Sequence, residues 1–227
     1  MKLFRFLHNG RIASGSEVPD GATLLPPVTP GKIVCIGRNY ADHAKELGNE
    51  TPAEPMLFLK PPSALLAPGG TIVLPRQSQL VHHEAELAIV IAREAKNVRR
   101  ENWRDYVLGF TCANDVSARD LQRKDVQFTR GKGFDTFCPI GPHIETELDW
   151  SDLRVIARVN GEVKQDGRTS QMIFPCDVLV SYISEHMTLM AGDVILTGTP
   201  AGVGSLNAGD TVEVEIEGIG VLRNAVA

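Results

Sequence analysis

This 227-residue chain has no C-x-x-C pair; its four cysteines, Cys35, Cys112, Cys138 and Cys176, are widely scattered. That excludes the usual spacing of a zinc ribbon or a dithiol redox motif and leaves reduced thiols in a cytoplasmic protein as the expectation. There is no sustained basic run, and the formal net charge is −5. The electrostatic footprint of nucleic-acid binding is therefore missing. No apolar stretch approaches the roughly 20 residues that span a bilayer. Met1–Phe6 lacks the apolar core and small-residue cleavage site of a signal peptide. Low-complexity tracts are absent. So is the regular strand–helix alternation that builds a parallel doubly wound sheet.

What is present is a composition 43% hydrophobic and 22% charged, enough apolar material for a sizeable core. Residues 1–30 read as a small N-terminal appendage. In it Leu3–Leu7 and Ile12–Ala13 flank a hairpin turn at His8-Asn9-Gly10, and a stiff connector follows at Pro26-Pro27-Val28-Thr29-Pro30. Residues 31–227 form the main body. Its first strand is Lys32–Gly37. Further strands are expected at Met56–Lys60, Thr71–Leu74, Glu84–Ala92, Val107–Asn114, Leu153–Asn160, Glu162–Gln165, Val194–Thr197, Thr211–Glu217 and Val221–Arg223. Asn160-Gly161 signals a type I′ hairpin turn, which needs positive φ at both positions. Helices are few: Asn39–Leu47, Glu101–Tyr106, Ser117–Lys124 with Ser117 as its N-cap, and amphipathic Pro175–Met187. The pattern predicts an α+β, strand-dominated fold.

The segment richest in chemistry is His82-His83-Glu84-Ala85-Glu86-Leu87-Ala88. On a strand Glu84 and Glu86 point to the same side, with about 6–7 Å of rise between their Cα atoms. The apolar run that follows marks the strand as buried, and two like charges side by side in an interior are costly unless a cation joins them. Either the pair holds a hard divalent cation, or it is an acidic strand end that projects into water. His82 and His83 offer a zinc site instead, but a strand sends them to opposite faces. Asp115 supplies a third carboxylate if Val107–Asn114 neighbours the first strand; otherwise Asn114-Asp115 is a turn or cap. Three carboxylates leave an octahedral ion about half its positions for water and substrate, and an all-oxygen set favours Mg²⁺ or Mn²⁺.

Other candidates are weaker singly. Arg119 and Gln122 share a helix face and suit a substrate carboxylate; a solvated helix surface is the alternative. Lys132, between Gly131 and Gly133, can turn inward to stabilise an enolate oxygen, or it belongs to a flexible loop. The P-loop pattern is not matched. His43 and Glu46, three apart, can form a general base for water, or a solvated pair. Gly198-Thr199-Pro200 ends a strand in a Gly-rich loop that can cradle a carboxylate or merely turn the chain.

Seven segments in order make the chain resemble the fumarylacetoacetate hydrolase family. They are Gly37-Arg38-Asn39-Tyr40-Ala41-Asp42-His43, Phe58-Leu59-Lys60-Pro61, the His82–Ala88 segment, Asn114–Gln122, Gly131-Lys132-Gly133-Phe134-Asp135, Val159-Asn160-Gly161-Glu162 and Ile195–Pro200. Together they cover about residues 31–227. The resemblance implies a mixed-sheet roll, a homodimer, and Mg²⁺ or Mn²⁺ on Glu84, Glu86 and Asp115. It implies that Arg119, Gln122, Lys132 and Thr199, with Gly198, hold substrate or stabilise charge, and that Lys60 faces the same site. It implies that His43 and Glu46 are a water-activating pair on a lid, as in the compact acylpyruvase and oxaloacetate decarboxylase branch. The expected activity is metal-dependent C–C cleavage of small 2-oxo acids, with 2-hydroxyhepta-2,4-diene-1,7-dioate isomerisation as the alternative and a non-catalytic binding protein as a remote one.

Overall fold

The run Ala85–Ile91 (AELAIVI) is buried along its whole length because it lies inside a ten-stranded mixed sheet in the computed structural model, which describes residues 1–227. Val107–Asn114 pairs with it antiparallel on one side and Val194–Leu196 on the other. Its alternate residues separate into two cores, as a period of two requires. Ala85, Leu87, Ile89 and Ile91 enter the largest cluster, while Ala88 and Val90 enter a second one.

Outward from this centre, Ile33–Gly37 runs parallel to Val194–Leu196, and Met56–Lys60 closes that side. On the other side Cys138–Glu145 pairs with Val107–Asn114, and Lys2–His8 pairs with Cys138–Glu145 through Lys2↔Glu145 and Leu3↔Ile144. The N-terminal hairpin thus continues the main sheet. It turns through Asn9 and Gly10 at φ 51° and 73°.

A second sheet has five strands, ordered Glu162–Arg168, Arg154–Val159, Thr211–Ile216, Gly220–Val226 and Thr71–Ile72. Its Val155, Ala157, Val214 and Ile216 join Leu87 and Ile89 in the largest cluster, and Leu179, Val180 and Ile183 of helix Cys176–His186 complete it. The architecture is α+β and strand-dominated, as the sequence predicts. Asn160 and Gly161 turn at φ 54° and 81°.

Two local expectations are corrected, and one strand was not foreseen. Cys138–Glu145 is a strand that the sequence hides, because CPIGPHIE carries two prolines and a glycine that read as breakers. It is accommodated by a register shift between Phe110 and Cys112 in its neighbour. Ser117 is no helix cap: Ser117–Ala118 pairs with Val81–His82, the Ser117 hydroxyl donates to the Asp115 carbonyl at 2.8 Å, and the helix begins at Arg119. Arg100–Tyr106 winds as 3₁₀ turns, not as an α-helix.

Leu87 is fully buried between the two sheets. Leu87→Ala should destabilise the protein by about 2–5 kcal/mol, through lost transfer energy and the cavity left behind. Urea unfolding measures this, and a loss below about 1 kcal/mol would contradict the packing described.

Candidate metal centre

Strand ends converge at one end of the central sheet. Ala85–Ile91 begins there, and its antiparallel neighbours Val107–Asn114 and Val194–Leu196 end there, as does Ile33–Gly37. The register sets Glu86 opposite Ala113, and the Asp115 N–H donates to the Glu84 carbonyl at 2.9 Å. Asp115 is thereby brought to the two glutamates. Ligand oxygens of Glu84, Glu86 and Asp115 lie within 4.8 Å of one another, and all three residues are buried.

Cations surround this cluster unevenly. The Lys132 ammonium bridges Glu84 and Asp115 at 2.7 and 2.6 Å, Lys60 bonds Asp115 at 2.6 Å, and Arg119 pairs with Glu84. Glu86 has only a backbone donor, the Gly198 N–H at 2.7 Å. The imbalance shows in the acidities. Burial opposes ionisation of Glu84, but the Arg119 and Lys132 charges outweigh it and hold that carboxyl well below the usual range. Burial, followed by the Asp115 and Glu84 charges, pushes the Glu86 carboxyl well up. Burial disfavours the Lys132 ammonium, yet Asp115 and Glu84 raise its pKa.

These residues fit a hard divalent cation. The donors are all carboxylate oxygens, an ammonium already bridges two of them, and the third has no cationic partner. Such a set suits Mg²⁺ or Mn²⁺ better than zinc. His82 and His83 stand outside the cluster. Burial pushes the His82 imidazole down to about 4, and His83 is occupied on Nδ1 by Gln165.

Lys132 ends a short helix, Thr129–Lys132, and is not in a loop. Its glycine neighbour serves close approach: a Cβ on Gly131 would sit 2.9 Å from the Gln122 backbone nitrogen, so only glycine lets this turn pack on helix Arg119–Asp125. The ammonium also lies 4.9 Å above the Phe58 ring. Arg119 donates to Gln122 at 2.9 Å, which ties these two residues together; the Arg119 Nε is buried without a partner. Lys60, 1% exposed, bonds Asp115 and the Val116 carbonyl and is not part of the cleft wall.

A cleft of about 380 Å³ opens from Glu84, Glu86 and Lys132 and is bordered by His43 and Thr199. His43 lies on the helix Ala41–Glu46, with Nδ1 3.1 Å from Glu46 Oε2 and Nε2 3.9 Å from Glu84 Oε1. The other Glu46 oxygen accepts the Gly202 N–H at 3.0 Å, which fastens this helix to the loop after Thr199. The structure thus brings together the three carboxylates, Lys132, Arg119, Gln122, His43, Glu46, Gly198 and Thr199.

Sequence reasoning missed Gln165. This residue, 1% exposed, accepts the Ala85 N–H at 2.9 Å and faces His83 Nδ1 at 3.0 Å. Its amide donates to the Thr199 hydroxyl and the Pro200 carbonyl, both at 2.7 Å. Because Ala85 N–H is a donor, the facing atom is the carbonyl oxygen, so His83 carries its proton on Nδ1. The Thr199 hydroxyl donates to the Ala85 carbonyl at 2.8 Å, so its own hydrogen is committed. No periodicity marks Gln165. Alternation places it on the face of Val163, which is exposed; the register shift opposite Ala157/Arg158 separates the two. Asn114 was also unassigned; its Oδ1 accepts the Glu84 N–H at 2.9 Å.

Gln165→Leu strands several buried groups at once. It should cost about 3 kcal/mol or more, since each unsatisfied group costs about 1–3 kcal/mol. It should also weaken Mn²⁺ binding, measured by calorimetry; unchanged stability would refute the role. In metal-stripped protein Glu86 gives a pH signature. Its raised pKa means that the folded state retains a proton that the unfolded chain releases above about pH 4.3, so its contribution to stability falls as pH rises. Glu86→Gln should flatten the decline in melting temperature between about pH 5 and 8, and an unchanged profile would contradict this.

Residues 32–227 match the model described as "Fumarylacetoacetate (FAA) hydrolase C-terminal". The chain is 47% identical to human mitochondrial oxaloacetate tautomerase FAHD2A, covering 90% of this chain and 69% of that one. Among solved structures it resembles 5-carboxymethyl-2-hydroxymuconate delta-isomerase from Mycobacterium smegmatis, with TM-score 0.94, 42% identity and coverage of 100% and 99% of the two chains. It also resembles 2-hydroxyhepta-2,4-diene-1,7-dioate isomerase from Mycobacterium marinum, with TM-score 0.92, 44% identity and coverage of 100% and 98%. With the match spanning nearly all of the main body, the chain belongs to the fumarylacetoacetate hydrolase family.

Proposed function

We propose that this chain is a divalent-metal-dependent enzyme that forms the enolate of small 2-oxo acids and uses it for keto–enol tautomerisation. The observation that carries the reading is one buried cluster, Glu84, Glu86 and Asp115, faced by both the Lys132 ammonium and the His43 imidazole. When bound to Glu84, Glu86 and Asp115, Mg²⁺ or Mn²⁺ would supply Lewis-acid polarisation of the 2-oxo acid.

The chain's own groups supply the rest. Lys132 places positive charge where an enolate oxygen develops, in a buried site where such charge counts for more than in water. The Arg119 Nε, otherwise unpartnered, and the neighbouring Gln122 amide are available to the acid's carboxylate. Glu46 orients His43 through Nδ1 and leaves Nε2 toward the cluster, where it can take the proton from C3 that the enolate oxygen gains as the enol forms, and give a proton to C3 when the reaction runs in reverse. The charge count is consistent. Three carboxylates are equalled in number by Lys60, Lys132 and Arg119, so an added divalent cation is balanced by the C1 carboxylate and the enolate oxygen of the 2-oxo acid. The relatives named as a tautomerase and as isomerases support proton transfer as the outcome.

C–C cleavage is the second reading, favoured by the His43–Glu46 pair, which is equally placed to activate water. An acylpyruvate would then yield pyruvate and an acid by water attack on its distal carbonyl, while oxaloacetate would lose CO₂ through the same enolate.

The test follows the ultraviolet absorbance of enol-oxaloacetate, with coupled pyruvate detection from oxaloacetate and acetylpyruvate, under Mg²⁺ or Mn²⁺. Metal-dependent enol conversion, abolished by Glu84→Ala, is expected. His43→Ala should lower tautomerisation and acylpyruvate hydrolysis by about 10²–10⁴-fold and decarboxylation much less. Equal losses in all three would rule out His43 as the proton carrier. A wild-type chain that binds metal yet acts on neither acid would defeat the proposal.

A further inference from the structure

The cleft holds more positive charge than its carboxylates use. Four cationic side chains line it: Arg38, Arg119, Arg123 and Lys132. Arg119 and Lys132 are ion-paired to Glu84. Arg38 and Arg123 have no acidic partner within 4.0 Å, and neither guanidinium is hydrogen-bonded to the protein.

The backbone sets where each side chain starts. Arg123 lies on helix Arg119–Asp125, four residues beyond Arg119. Residues four apart share a helix face and are separated by about 6 Å along the axis. Arg119 is buried at the carboxylate cluster and Arg123 is exposed, so the helix carries one guanidinium at each depth of the cleft. Arg38 enters from a different element. It leaves the end of Ile33–Gly37 half-buried, at φ 58°, a left-handed conformation uncommon for a large side chain. The next residue fixes this bend. Buried Asn39 donates to the Thr197 carbonyl at 2.7 Å and the Phe174 carbonyl at 3.0 Å, and accepts the Phe174 N–H at 2.8 Å.

We infer that Arg38 and Arg123 form a second anion subsite, away from the metal-binding carboxylates, that receives the distal carboxylate of a 2-oxo dicarboxylate. This deepens the proposed function and rests on it: the 2-oxo acid end lies at Glu84, Glu86 and Lys132, and the far end meets two unpaired guanidinia. The step of about 6 Å from Arg119 to Arg123 is of the order of a four- or five-carbon chain. A guanidinium suits this task because its planar fork matches a carboxylate and its charge is permanent. The subsite selects diacids over monoacids of equal length, since a methyl group in the same place would leave both guanidinia unpaired.

Calorimetry on the Mg²⁺-loaded protein tests this without turnover. The probes are 2-oxoglutarate and 2-oxopentanoate, which have equal carbon counts and differ in the distal carboxylate, and oxalate, which reaches only the metal end. Wild type should bind 2-oxoglutarate about tenfold or more tighter than 2-oxopentanoate, the equivalent of one charge-assisted hydrogen bond. Arg123→Met, an exposed position that tolerates substitution, should cut this preference several-fold. Adding Arg38→Met should bring it close to one, and oxalate affinity should stay unchanged throughout. A wild-type preference near one with oxalate binding intact would overturn the subsite alone. Equal weakening of oxalate and 2-oxoglutarate in the variants would also overturn it, by showing a general effect of charge. Failure of wild type to bind oxalate would bring down the 2-oxo acid reading itself, and the subsite with it.

Discussion

Three carboxylates within 4.8 Å of one another in a protein interior cannot be left to themselves. Each buried ion carries an effective desolvation penalty of several kcal/mol, and like charges about 4 Å apart repel by roughly 4 kcal/mol at the effective dielectric of a protein. Much of the surrounding structure answers that repulsion. Lys60, Lys132 and Arg119 arrive from three separate segments to meet Glu84 and Asp115, and Gly131 lets the turn that carries Lys132 pack on the helix that carries Arg119. Glu86 is the group that this arrangement leaves without a cation, and its displaced acidity records the deficit.

The fold makes the crowding possible. An antiparallel pair alone brings Glu86 and Asp115 to neighbouring strand ends, and the adjoining strand delivers Gly198 to the same level. Leu87 and Ile89 bury the opposite face of the strand that carries the glutamates. The strand is thus anchored by apolar contact on one side while its first turns of sequence carry charge on the other. The second sheet supplies Gln165, which joins the start of that strand to the Thr199 loop.

Legibility in the sequence followed the physics of each feature. Glu84 and Glu86 were readable because strand alternation is local, and Asp115 needed only the assumption that two strands pair. Lys132, Arg119 and His43 were weak singly, since their spacing fits a solvated surface equally well; the ordered segments around them carried the family resemblance. Gln165 was invisible because a one-residue shift in pairing reverses its face, and that shift depends on partners far along the chain. Cys138–Glu145 was hidden for a related reason: Pro139 and Pro142 argue locally against a strand, and only the neighbouring strands on both sides make it one. Arg38 and Arg123 sit in segments that gave them no pattern of their own; their shared surroundings exist only in three dimensions.

His43 and Glu46 sit on the same six-residue helix, whose link to the loop beyond is the Gly202 N–H. The hydrogen bond between imidazole and carboxylate is therefore internal to one rigid cassette. Any hinge motion of that helix carries the aligned pair as a unit. Under the proposed function this pair is a base whose orientation is set within the helix, so the entropy of aligning it would belong to folding and not be incurred again at each turnover.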